Sequence, residues 1–168
     1  MTAVEPAEGM LRDLLWVHDM LRRDLATCRT LASDISSGVP AAVIRSTVES
    51  LQTAGPLWQL RMNCLRYCSI VHSHHHLEDV ALFPAVRAAD PERMNAVVDK
   101  LEADHRVVSS LLDEVEEATR LLSADDTAAR LRLVRGLTEL SEHLLEHLAY
   151  EEESIGPVLR TWESWPGG

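Results

Sequence analysis

Apolar residues recur along the chain with a step of three or four, the period of one face of an α-helix. Four such stripes can be traced. The first runs through Leu11, Leu14, His18, Leu21, Leu25, Cys28 and Ala32, and the second through Leu57, Leu60, Cys64, Tyr67, Val71, His74, Glu78 and Leu82. The third takes Met94, Val98, Leu101, His105, Val108, Leu112, Val115 and Leu122, and the fourth Leu133, Leu137, Leu140, Leu144, His147, Glu151, Ile155 and Val158. Ser36-Ser37-Gly38-Val39-Pro40, Gly55-Pro56, Ala89-Asp90-Pro91 and Ser123-Ala124-Asp125-Asp126 punctuate them. No alternating strand pattern competes. Four helices of roughly 25 to 30 residues joined by short polar turns predict an all-α, antiparallel four-helix bundle. It is expected to span residues 8–162, with short tails at 1–7 and 163–168. Residues 40–53 also read as helical, but Gly55-Pro56 breaks them from the second helix, so they are expected to form a lead-in segment over the bundle.

The stripes contain an anomaly. Six core-facing positions are polar: His18, His74, Glu78, His105, His147 and Glu151. Burying that many ionisable groups without partners costs several kcal/mol each, more than a domain of this size has to spare. A hydrogen-bonded His–Glu network, or a stripe drawn one residue off, answers for any one of them. An internal repeat asks for more. The stretch from His74 to Arg87 lies over that from His147 to Arg160 without a gap, matching His, Glu, Pro and Arg. Each copy follows a helix with a lone stripe histidine, His18 before the first and His105 before the second. The chain thus reads as two His / His-x-x-x-Glu helix pairs. Residues four apart on a helix point to one spot. Imidazole with carboxylate suits a first-row transition metal such as iron or manganese, whereas Ca²⁺ and Mg²⁺ favour oxygen alone. Four His and two Glu match two ions, each held by two His, with both carboxylates able to bridge. His75 and Asp79 are also four apart, but Leu148 stands opposite His75 in the repeat and cannot ligate. His72, His75 and His76 therefore read as solvated or as outer hydrogen-bonding groups, and His143, one turn before His147, as an outer candidate.

Composition changes the picture mainly by exclusion. The 168 residues carry 27 acidic against 16 basic side chains, a formal charge of −11, so nucleic acid and anionic membranes are not expected partners. No uncharged apolar run reaches the ~20 residues of a membrane span. The first residues lack the basic start and apolar stretch of a secretory signal, which places the protein in the cytoplasm. Three cysteines, Cys28, Cys64 and Cys68, fit a reducing compartment and read as small core residues. A monomer or weak homo-oligomer is expected.

A histidine in the first helix, His-x-x-x-Glu followed by Leu-Phe-Pro in the second, a lone histidine in the third and His-x-x-x-Glu in the fourth resemble the hemerythrin-like, or HHE cation-binding, domain over about residues 8–160. The resemblance implies two iron ions with an oxo or hydroxo bridge. Two departures stand out. Oxygen-carrying hemerythrins have a second histidine four residues earlier on the third helix, where this chain has Leu101, and an Asp where it has Glu151. Two His per iron leave both irons with a further position. That symmetry suits reaction with hydrogen peroxide in a catalase-like cycle, with O₂ and NO as other small ligands. The alternatives are reversible O₂ or NO binding without turnover, and a metal that only braces the bundle. Tyr67, two turns before His74 on the same stripe, reads either as a core aromatic or as a catalytic group lining the pocket, donating a proton or swinging in as a phenolate ligand.

Overall fold

The expected stripes become four long helical rods in the computed structural model, which describes residues 6–36, 56–122 and 126–162. Helix α1 is Pro6–Ser36. The second rod begins as α2 (Pro56–Leu77), widens into a π-helical turn at Glu78–Leu82 and finishes as α3 (Phe83–Ala89). Helix α4 is Pro91–Arg120 and α5 is Thr127–Leu159. The lead-in expected at 40–53 lies outside the described residues. Among the described residues, no helix is long and apolar enough to cross a membrane.

Local chemistry fixes the helix starts. Asp90 accepts a hydrogen bond from the Arg93 backbone N–H at 3.3 Å, with Pro91 supplying the preset first turn of α4. Asp126 caps α5 in the same way, accepting from Ala129 N–H at 3.0 Å. The π turn accommodates a proline. Pro84 has no N–H for the Val80 carbonyl, and in an α-helix its ring would press on that carbonyl. The backbone widens instead, and Phe83 N–H bonds to the Glu78 carbonyl five residues back.

Cross-helix pairs give the directions. His18 faces His74 while Tyr67 reaches Leu21, so α1 and α2 are antiparallel. Arg61 meets Leu122 while His75 meets His105, which sets α2 against α4. His105 with His147 and Gly136 with Val115 do the same for α4 and α5, and Arg29 with Ser141 and His18 with Glu152 for α1 and α5. The result is a closed ring of four helices. Its core is two apolar blocks. One is built from Leu21, Leu25, Val71, Leu112, Leu137, Leu144 and their neighbours, the other from Leu14, Phe83, Val98, Leu101, Ile155 and theirs. Between the two blocks lies a layer of buried polar side chains.

Candidate metal centre

That layer is where the repeat places its histidines and glutamates. His18, Glu78, His105, His147 and Glu151 are each at most 4% exposed, and His74 sits at the edge of the layer. His74 Nε2 approaches Glu78 Oε1 at 3.2 Å and His147 Nε2 approaches Glu151 Oε2 at 3.2 Å, the two i,i+4 pairs read from the sequence. Across the helices, His105 Nε2 lies 3.5 Å from Glu78 Oε1 and His18 Nε2 lies 3.7 Å from Glu151 Oε1. All six residues converge on one volume. Each carboxylate faces a histidine from both helix pairs.

The outward ring nitrogens are anchored. His18 Nδ1 pairs with Glu152 at 2.9 Å, and Arg22 clamps the same carboxylate at 2.9 and 3.0 Å. His105 Nδ1 pairs with Asp79 at 2.8 Å and His147 Nδ1 with Asp104 at 3.3 Å. An imidazole whose Nδ1–H is held by a carboxylate turns its Nε2 lone pair inward in a fixed direction, the usual support of a metal-bound histidine. Asp79 and Glu152 each follow a site glutamate and occupy matching places in the repeat.

Of the inward atoms, His105 Nε2 and His147 Nε2 pair with each other at 3.0 Å, and the others lack partners. His18 Nε2, His74 Nε2, His75 Nε2 and both oxygens of Glu78 and of Glu151 are buried without a hydrogen bond. Leaving such a group unsatisfied costs about 1–3 kcal/mol, and more when it is charged. Seven such atoms pointing into one volume form the donor set that a bound cation would satisfy. The electrostatics of the layer agree. Burial pushes His74 down to about 4, and burial with the neighbouring imidazoles lowers His75 and His105, so these rings are neutral lone-pair donors at neutral pH. Burial and the adjacent Glu151 raise Glu78 well above the carboxylate range. Burial opposes the ionisation of Glu151 too, but its contact with Glu78 and the imidazoles of His147 and His18 hold it low. The pair therefore keeps one proton where a cation would take its place. Imidazole nitrogens and shared carboxylates fit first-row transition-metal ions.

The layer also departs from the sequence reading. His75 is not solvated: it is 5% exposed and stacks on His105, ring centroids 3.8 Å apart. Its Nε2 has no partner, and it groups with Glu78, His105 and His147, one potential ligand atom from each lying within 4.8 Å of all the others. Leu148, opposite it in the repeat, is fully buried, so the position faces the core in both copies. His143 is exposed and turns away from the layer. His76 is exposed as well, and His72 lies half-exposed beside Asp113 at 3.4 Å. Tyr67 is a buried core aromatic. Its hydroxyl donates to the Leu21 carbonyl at 3.0 Å, and burial raises its pKa, so in this conformation it is spent on the backbone of α1. Cys28, Cys64 and Cys68 are buried free thiols.

A cavity of about 280 Å³ opens between α1 and the second rod and ends on His74 and Glu78. Its walls are Leu14, Val17, Leu77, Ala81 and Leu82, and Asp13 completes the lining. The family description "Hemerythrin HHE cation binding domain" matches residues 9–159. The chain belongs to that family. Neither the curated proteins nor the solved structures gave a match.

Proposed function

We propose that this chain holds two iron ions and uses them to decompose hydrogen peroxide, two molecules of peroxide giving two of water and one of O₂. The observation that carries the metal pair is the set of unpartnered Nε2 and carboxylate atoms converging between two apolar blocks. His18 and His74 would hold one ion and His105 and His147 the other, with Glu78 and Glu151 shared. An iron pair supplies a two-electron redox couple beside positions for a small ligand.

The protein's own part is selection and orientation. A cavity walled by Leu14, Val17, Leu77, Ala81 and Leu82 gives small uncharged molecules an apolar approach to His74 and Glu78. Asp13 in its lining repels anions and leaves neutral species such as peroxide, O₂ and NO. The carboxylates of Glu152, Asp79 and Asp104 keep His18, His105 and His147 aimed inward through the cycle.

Metal analysis of the purified protein comes first, with about two irons per chain expected. Peroxide added to the diferric form should then release O₂ over many turnovers. A stable, reversible oxygen adduct of the reduced protein with no turnover overturns the enzyme reading in favour of a binding module. One zinc per chain overturns the di-iron reading altogether.

A further inference from the structure

The metal layer makes no use of the three thiols. Cys28 sits on α1 and Cys64 on α2, and the antiparallel packing of these helices brings them together in the apolar block of Leu21, Leu25 and Val71. Each is 1% exposed, and the two thiols are hydrogen-bonded to each other. Cys68, one turn beyond Cys64 on α2, is buried in the same block. The pair lies ten residues from His18 on one helix and ten from His74 on the other, about 15 Å along each axis, so it is a site apart from the layer.

The two sulfurs differ in access and in charge. A narrow cavity of about 20 Å³ between α1 and α2 has Cys28, Asp24, Asn63 and Arg66 in its lining, and Cys64 is not part of it. That is room for one molecule about the size of water. The hydrogen bond from Cys64 favours the ionised form of Cys28, and the Arg66 guanidinium adds to it. Burial and Asp24 oppose them, and the balance leaves the Cys28 thiol below its ordinary range. The same contact, together with burial, pushes Cys64 up, and burial with Glu116 nearby pushes Cys68 up to about 12. A thiolate is the nucleophile in sulfur chemistry. Cys28 is thus the reactive thiol of the three, with a second thiol already in contact with it.

We propose that Cys28 and Cys64 are a site of oxidation by hydrogen peroxide, closing into a disulfide that staples α1 to α2. The Cys28 sulfur attacks one oxygen of peroxide. The O–O bond breaks, the other oxygen leaves as water with the Cys28 proton, and Cys28 becomes a sulfenic acid. The Cys64 sulfur then attacks the Cys28 sulfur. The S–O bond breaks, and the hydroxyl leaves with the Cys64 proton as a second water. Two thiols give up two electrons and two protons, and one peroxide accepts them. The sulfurs are in contact beforehand, so the bond forms by side-chain adjustment within the packed helices. No metal takes part, and the site stands whether or not the metal-pair reading does.

The test is hydrogen peroxide added to the purified protein, as isolated and after metal removal, with folding followed by circular dichroism. Remaining thiols are then blocked, and the chain is digested and weighed by mass spectrometry without reductant. A Cys28–Cys64 linked peptide pair is expected, with free thiols falling from three to one per chain and returning on addition of dithiothreitol. Cys64→Ala should stop the reaction at the Cys28 sulfenic acid, trapped by dimedone. Cys28→Ala should leave Cys64 and Cys68 reduced, and Cys68→Ala should leave the linkage unchanged. Cys28→Ser and Cys64→Ser take their place if the alanine variants misfold. Linkage in either form of the folded wild type supports the site. Three thiols surviving peroxide in both forms overturn it, as does a bond that uses Cys68 or one that forms only in denaturant.

Discussion

The α1/α2 half and the α4/α5 half began as the same device and now differ in what surrounds it. Both place a His-x-x-x-Glu pair with a 3.2 Å contact in the buried layer and aim a lone histidine at the partner's glutamate, at 3.7 and 3.5 Å. Outside that shared nucleus the halves diverge. One has Val17, Leu77 and a cavity whose lining includes His74 and Glu78; in the other, Lys100 bonds Asp104 at 2.9 Å and lies 4.4 Å from the Tyr150 ring centre, and the cavity beside Tyr150 has neither His147 nor Glu151 in its lining. The histidines and glutamates of the nucleus coincide in the two halves, although His75 stands against Leu148 beside them. One layer out the pairs differ in kind, with hydrophobic packing in one half and an ion pair in the other.

Removing a shared carboxylate is the strongest way to break the comparison. Glu151 reaches His147 with one oxygen and His18 with the other, so Glu151→Ala should leave less than one ion per chain by elemental analysis. A loss confined to one ion would mean that the carboxylate serves a single half.

Acid should act next most strongly, on the metal-free protein. His74 titrates near 4 in the native state against about 6.5 when unfolded. Above pH 6.5 both states are neutral and the contribution is fully present. As pH falls from 6.5 to 4 the unfolded chain takes a proton that the native chain refuses, and about 3 kcal/mol is lost, levelling off below 4. Thermal melts across that window should show the decline, and His74→Leu should lessen it, with His75 and His105 keeping their own share.

Third are the anchors. Asp79→Asn and Glu152→Gln should each weaken metal binding about 10–100-fold in a Co²⁺ titration of the metal-free protein, and by similar factors, because they are equivalent in the repeat. Unequal losses would show that the halves differ at this level too. The mildest change is Asp104→Asn, which loosens His147 in one half only. A few-fold loss confined to one titration phase is expected, the half with Val17 having no such anchor to lose.

Much of this was legible in the chain itself. The four stripes, the turns between them and the six converging residues follow from a period and a repeat, and the structure brings all six together. His75 escaped because a stripe drawn one residue wide hides how broad a face a bundle helix buries. Its signal was Leu148, an apolar residue at the matching place in the other copy, which is fully buried. His143 failed in the opposite sense, since each step of four residues drifts about 40° around the helix. The π turn was harder to foresee. Pro84 demands some adjustment, but Pro157 at the matching place in α5 is absorbed within an α-helix, so the sequence alone does not say which form it takes. The anchors were hidden among 27 acidic residues, where only the third dimension selects Asp79, Asp104 and Glu152. Tyr67 was spotted by its spacing, but where its hydroxyl points depended on the carbonyl offered by a neighbouring helix.

Two of the anchors cross between the halves: Glu152 on α5 steadies His18 on α1, and Asp79 in the π turn after α2 steadies His105 on α4. A single helix pair cut from this protein would lack the carboxylate that aims its lone histidine, even though Asp104 would still hold His147 within the α4/α5 pair. Two such pairs laid face to face would complete one another about a twofold axis. The smallest self-sufficient unit of this architecture is therefore a symmetric dimer of hairpins, and joining two of them into one chain let each half then change independently of the other.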